Sequence, residues 1–290
     1  MSVHIIFFPR GSRQCGAPQT SKMNFCEEDY HFTGYVGEFI NTLTSLSYVF
    51  LGCYALYRQR SRENETQLTH YLSYISLVIV GIGSAAYHAT LKYPLQLVDD
   101  LSMLLGAGIM FHHVLTINRG TGDQIRLFLL ITIVLSLAVW AHIKTGDSAL
   151  HQIVFGSMVV TVGFRTFKLL KAMISSRNMR SKLRRLATRG YLILIVAYGL
   201  WLIDVFACQH LRALRHAIGI PLAWLFELHG WWHILTATGV YIYMLLGEYL
   251  QPAYRDQESG GNDGWISILK GPSNVKPKES RTNGCIKKLS

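Results

Sequence analysis

The stretch 221-PLAWLFELHGWWHILTATGVYIYMLLGEYL-250 is long and apolar enough to cross a bilayer, which takes about 20 residues, yet it carries two histidines, His229 and His233. Residues four apart share one face of a helix, so both imidazoles point into the same space. An ionisable group inside a membrane span has no water to satisfy it and is a functional candidate for that reason. From this pair alone, a metal-ligand role and plain helix-to-helix hydrogen bonding both stand.

A second polar set strengthens the metal reading. Ser84-Ala-Ala-Tyr-His88 repeats the four-residue spacing in another apolar region, and Asp99 follows after a short turn containing Pro94. Three imidazoles are then available for one cation. Zinc suits nitrogen ligands, and a catalytic zinc keeps three protein ligands and one open position, a count that His88, His229 and His233 meet. The metalloprotease helix H-E-x-x-H is excluded, because Gly230 stands where its Glu belongs. A general base has to come from elsewhere, and Asp99 is the candidate.

Working outward, the chain of 290 residues is 50% hydrophobic and only 16% charged, with a mean hydropathy of +0.24, which a soluble domain of ordinary composition does not show. Apolar runs near 39–57, 71–91, 95–117, 125–143, 148–170, 189–208 and 221–249 predict an all-α membrane protein, a seven-transmembrane helix bundle spanning residues 23–250. Residues 1–22 and 251–290 are polar, without apolar periodicity, and are expected to be mobile tails. The run His4-Ile-Ile-Phe-Phe8 is too short for the core of a cleavable signal.

The formal charge of +11 is placed in alternating loops rather than on a soluble domain, which argues against a nucleic-acid partner. The loop from Lys168 to Arg189 is the richest, with Arg180, Lys182, Arg184 and Arg185. By the positive-inside rule the N-terminus is lumenal and the C-terminus cytosolic. His88, Asp99 and His229 then converge on the lumenal half. Lys287-Lys288 near the chain end resembles a dilysine retrieval signal and points to the endoplasmic reticulum or Golgi membrane; the sequon at Asn64 falls on the cytosolic side.

Before the first span, Asn24-Phe-Cys-Glu27-Glu-Asp29-Tyr, followed by Glu38, gathers oxygen donors that suit calcium; a solvated acidic loop is the other reading. Cys26 and Cys208 both face the oxidising side, so pairing is open. Cys53 reads as a buried packing residue, His112 and His113 as interfacial, and Asp204 as a buried carboxylate that needs a partner.

Three blocks, Asn24 to Glu38, Gly83-Ser84 through His88 to Gln96-Leu-Val-Asp99, and His229-Gly-Trp-Trp-His233-Ile-Leu-Thr, together resemble the alkaline ceramidases, seven-span zinc amidases in a superfamily with the adiponectin and progestin receptors. The resemblance runs from about Asn24 to Leu250. It implies hydrolysis of the ceramide amide to a sphingoid base and a fatty acid. Carried over by position, His88, His229 and His233 hold zinc, Asp99 holds or deprotonates the attacking water, and Ser84 lies near the substrate amide. The family's calcium pattern maps onto Asn24, the carbonyl of Phe25, Glu27, Asp29 and Glu38, and a Cys26–Cys208 bridge is likewise what it suggests. The chain departs from the pattern at Asn24 (usually Asp), Asp29 (usually Asn), Phe25 (often Trp) and Leu202 (often Asn). The receptor branch shares the Ser, His, Asp and paired-His positions and offers the alternative of a receptor-like protein with weak ceramidase activity; the acidic block and Trp231-Trp232 favour the enzyme branch.

Overall fold

The computed structural model describes residues 19–60, 68–145 and 148–251. The 251–290 tail beyond Gln251, the dilysine, the Asn64 sequon and residues 1–18 lie outside them. Eight α-helices occur among the described residues: α1 (Phe39–Arg60), α2 (Leu68–Thr90), α3 (Tyr93–Thr116), α4 (Thr121–Thr145), α5 (Ser148–Met173), α6 (Arg177–Phe206), α7 (Cys208–Ile218) and α8 (Leu228–Leu250). Six of them, α1 to α6, are long and apolar enough to cross a membrane. The protein is therefore a multi-pass membrane protein of the all-α class.

The helices form a ring in which α1 packs on α2, α2 on α3, α3 on α5, α5 on α6, α6 on α8 and α8 back on α1, while α4 leans from outside on α3 and α5. In lipid, where apolar side chains gain little from facing each other rather than acyl chains, close backbone approach drives such packing. The α1–α2 contact shows it: a Cβ on Gly52 would lie 2.6 Å from Cγ2 of Val78, and one on Gly81 would lie 2.7 Å from Cγ2 of Val49. The outer helix α4 instead exposes Phe128, Leu129, Ile133, Leu137 and Trp140, side chains suited to acyl chains.

Three local differences from the sequence reading have clear causes. The apolar stretch that begins at Pro221 is not one helix, because residues 222–226 form a short 3₁₀ turn and α8 starts only at Leu228. Glu227 marks the break, buried in an ion pair with Arg215 at 2.6 Å. Residues 208–218, read as a connection, form α7, an amphipathic helix whose buried face carries Leu211 and Arg215; it ends at Gly219, whose φ of 76° stops a right-handed helix. Although 23 residues long, α8 is not among the six helices apolar enough throughout to cross a membrane by length and composition; its buried face carries the polar side chains His229, His233 and Glu248.

Two smaller readings change as well. Cys53 is exposed on the outside of α1. His113 is buried rather than interfacial, because Gly247 of α8 leaves room for its ring. At the far end from the histidine pair, Glu248 is bonded to Arg58 at 2.6 Å and to Tyr74 Oη at 2.8 Å, and also to Gln59, so a buried ion pair joins α1, α2 and α8.

Candidate metal centre

His88 comes from the last turn of α2, and His229 and His233 from the first two turns of α8. All three are buried, with ring centroids 4.5 to 5.1 Å apart. One nitrogen from each can be chosen so that all lie within 4.8 Å of one another, the one such histidine, cysteine or carboxylate group of three among the described residues. Nε2 of His88 and Nδ1 of His229 are buried with no hydrogen-bond partner. Buried polar atoms are nearly always satisfied, so two orphan imidazole nitrogens beside a third suit a bound cation, and an all-nitrogen donor set suits zinc.

The other ring nitrogens are held by the protein. Nδ1 of His88 lies 2.6 Å from Oε2 of Glu38, and Nδ1 of His233 lies 3.0 Å from the Thr44 hydroxyl. Partners of this kind fix the ring and its tautomer, leaving the opposite nitrogen for a metal. His229 is instead clamped by stacking, with Phe25 3.5 Å away, centroid to centroid, at an interplanar angle of 19°.

Ser84 lies one turn before His88, where its hydroxyl accepts from Ser45 at 3.0 Å and is within reach of Asp99. Asp99 is buried, lines the same cavity as His229 and His233, and is not part of the close three-residue group. That position fits a group acting on a water molecule more than one binding a metal directly.

His229 and His233 open into a cavity of about 730 Å³. Its wall includes Ile153 and Val160 of α5 and Ile195 and Tyr198 of α6, all of which are also exposed on the outside of the bundle. The cavity therefore opens sideways between α5 and α6. A narrower apolar extension of about 80 Å³ shares Tyr48, Val80, Met103 and Trp232 with it and reaches Met110, Tyr243 and Met244 deeper in the bundle.

A roof of loop closes the site end. Residues 20–23 are tied down, with the amides of Thr20 and Ser21 bonded to Leu91 O and those of Lys22 and Met23 to Oε1 of Gln96. Cys26 and Cys208 form a disulfide, with Cα atoms 5.2 Å apart. The carbonyl of Cys26 accepts from Arg215 at 2.6 Å and from Arg212 at 3.0 Å, and its amide donates to Oδ2 of Asp204 at 3.0 Å. The partner Asp204 needed is thus a loop amide.

The five candidate calcium residues share this loop, and the side chains of four of them, Asn24, Glu27, Asp29 and Glu38, accept from protein donors. Glu27 takes the first amides of α1, Ile40 N at 2.7 Å and Asn41 N at 2.8 Å; Asn24 donates to Asp29 at 3.0 Å; Glu38 also accepts from Phe25 N and Asn41. Burial, and next the charge of Glu38, push Glu27 up to about 8 against its helix amides. The same two causes raise Asp29, opposed by Asn24. Burial pushes Glu227 up to about 8 despite Arg215.

Thr44 and Ser45 are contacts of the site that sequence reading did not assign, and Glu38, read only as a calcium candidate, also stands against His88. The available signal was polarity, since Asn41, Thr44 and Ser45 stand on the α1 face that meets His233 and Ser84.

The Ceramidase family profile matches residues 17–273. The chain belongs to the ceramidase family. Its similarity to curated relatives is broad: it is 31% identical to alkaline ceramidase 3 of Mus musculus, covering 82% of this chain and 86% of that one. It is 30% identical to alkaline ceramidase YPC1 of Saccharomyces cerevisiae over 80% of this chain and 77% of that one. At 24% identity, alkaline ceramidase 1 of Homo sapiens still aligns with 76% of the chain. Family membership makes the ceramidase a hydrolase, and the buried histidine cluster could hold a metal ion.

Proposed function

We propose that this ceramidase is a zinc-dependent amidase that hydrolyses the amide of ceramide to a sphingoid base and a free fatty acid. The observation that carries the reading is a buried three-histidine cluster with orphan nitrogens at the head of an apolar cavity that opens toward lipid. His88, His229 and His233 would hold the ion. Bound there, zinc supplies a Lewis acid that polarises a carbonyl and makes water acidic near pH 7.

The chain's own groups do the rest. Asp99 accepts a proton from water as the water oxygen bonds to the carbonyl carbon, and returns that proton to the nitrogen as the C–N bond breaks. The Ser84 hydroxyl donates to Asp99 at rest and to the developing oxyanion once Asp99 is protonated. The apolar extension below Trp232 suits an acyl chain, and the gap between α5 and α6 suits entry of a two-chain lipid from the bilayer.

With α8 as the seventh span, the loop charge supports a lumenal N-terminus and a cytosolic C-terminus, and Lys287-Lys288 supports the endoplasmic reticulum or Golgi membrane. We assign a structural calcium to the loop of Asn24, Phe25, Glu27, Asp29 and Glu38, where three crowded carboxylates would be relieved by a cation.

The test is turnover of ceramide by purified protein before and after chelation. Activity lost to the chelator and restored by zinc is expected; turnover untouched in protein shown by elemental assay to be metal-free would sink the mechanism.

A further inference from the structure

The cavity holds a second polar region that the proposed reaction leaves unused. Besides Ser84, Asp99, His229 and His233, its largely apolar wall carries Gln96 and Asp100 from the first turns of α3, and His151 and Gln152 from the first turn of α5. Gln96 and His151 are buried. Polar groups are costly in such a place unless they are bonded to something.

The bonds within the protein leave capacity over. His151 uses Nε2 on the main-chain oxygen of Asp100 at 2.9 Å, and its Nδ1 has no protein partner among the described residues. Oδ2 of Asp100 is buried without a hydrogen bond of good geometry; Nε2 of His142 stands 3.3 Å from it. Gln96 gives its oxygen to the Lys22 and Met23 amides and one N–H to Asp100, which leaves the second hydrogen of its NH₂ group. The region thus offers carboxylate and imidazole acceptors beside amide donors, the combination that hydroxyl groups, at once donors and acceptors, can satisfy.

Resting on the ceramidase reading, we infer that Gln96, Asp100 and His151, with Gln152 at the edge, form the subsite that binds the hydroxyl groups of the sphingoid base. The hydroxyl-bearing carbons of such a base stand two or three bonds from the amide nitrogen, so they cannot be far from the reacting carbonyl. Asp100 follows Asp99 directly and both line the cavity, which keeps the polar wall beside the proposed base. The acyl side of the amide bears no hydroxyl in a plain ceramide and matches the apolar extension instead. His142 stands behind Asp100 as a positioning residue, buried and not part of the cavity wall.

The experiment uses full-length protein and three ceramides with one acyl chain, their bases carrying an extra hydroxyl at C4, lacking it, or lacking the C1 hydroxyl. Binding of the corresponding free bases to chelator-treated protein is measured alongside. Wild type is expected to favour the more hydroxylated member of each pair by roughly tenfold in kcat/KM, the effect of a buried polar site left unpaired. His151→Leu should erase that preference while turnover of the C1-deoxy substrate stays within about threefold, and His151→Gln should restore part of it. Should His151→Leu fail to fold, Gln152→Leu decides, because its side chain has no hydrogen-bond partner to lose among the described residues. Unchanged ratios in the folded variants, equal losses on all three substrates, or free bases bound without regard to their hydroxyls would overturn the subsite. Wild type that ranks the free bases by hydroxyl yet cleaves no ceramide would leave the subsite standing and remove the ceramidase reading instead.

Discussion

Oε2 of Glu38 lies 2.6 Å from Nδ1 of His88, and both side chains are fully buried. The resemblance places Glu38 among calcium ligands, whereas the geometry also makes it the carboxylate behind a metal-facing histidine. A carboxylate there orients the ring, fixes the Nδ1–H tautomer and makes Nε2 a better ligand. Glu38→Gln should therefore lower zinc affinity and turnover together, by roughly 10- to 100-fold. Elemental analysis against zinc concentration, run beside the ceramide assay, checks this; full zinc loading at ordinary concentrations would confine Glu38 to the loop.

His233→Ala removes one of three imidazoles and leaves an incomplete site. Folded protein with little bound zinc and no measurable turnover is the expected outcome, read by elemental assay and product release. Zinc-free variant that still cleaves ceramide would reassign the metal centre.

Asp99→Asn separates binding from chemistry. The amide cannot take a proton at neutral pH, and Asp99 lies outside the close histidine group, so zinc should be largely retained while kcat falls roughly 100-fold or more. Near-normal kcat with bound zinc would place the base elsewhere.

Much of this centre was readable because an apolar span makes any polar residue conspicuous. The four-residue spacings of Ser84 to His88 and His229 to His233 needed only helical periodicity. Glu38 and Asp204 were harder: their partners stand 50 and 178 positions away, and one of those partners is a backbone amide, which no residue type announces. The start of α8 was hidden because Leu222 to Phe226 is as apolar as the helix it precedes. Helix α7 was missed because its basic, amphipathic face resembles a polar connection until Arg215 finds the Cys26 carbonyl.

The Cys26–Cys208 bridge closes a loop with a sequence separation of 182 residues, and bridges over long loops stabilise most, with typical losses of about 2–5 kcal/mol on removal. Cys26→Ser should lower the thermal midpoint measurably and loosen Phe25 from His229. Scanning fluorimetry with and without reductant reads the first, and an unchanged midpoint would show that Arg212 and Arg215 hold the loop unaided.

Calcium should raise the thermal midpoint of purified protein, since Glu27, Asp29 and Glu38 crowd together without it. Asp29→Ala, which spares the contacts to α1 and His88, should abolish most of that rise. A wild-type midpoint indifferent to calcium through the millimolar range would make the block an acidic cap on α1 alone.

The sideways gap between α5 and α6 changes what concentration means for this enzyme. A substrate that arrives through the wall of the bundle is sampled from a two-dimensional solution, so the rate should follow its mole fraction in the surrounding lipid rather than its amount per volume. Adding inert phospholipid or detergent at constant substrate would slow the reaction by dilution alone, and both products would be released into the leaflet from which the substrate came.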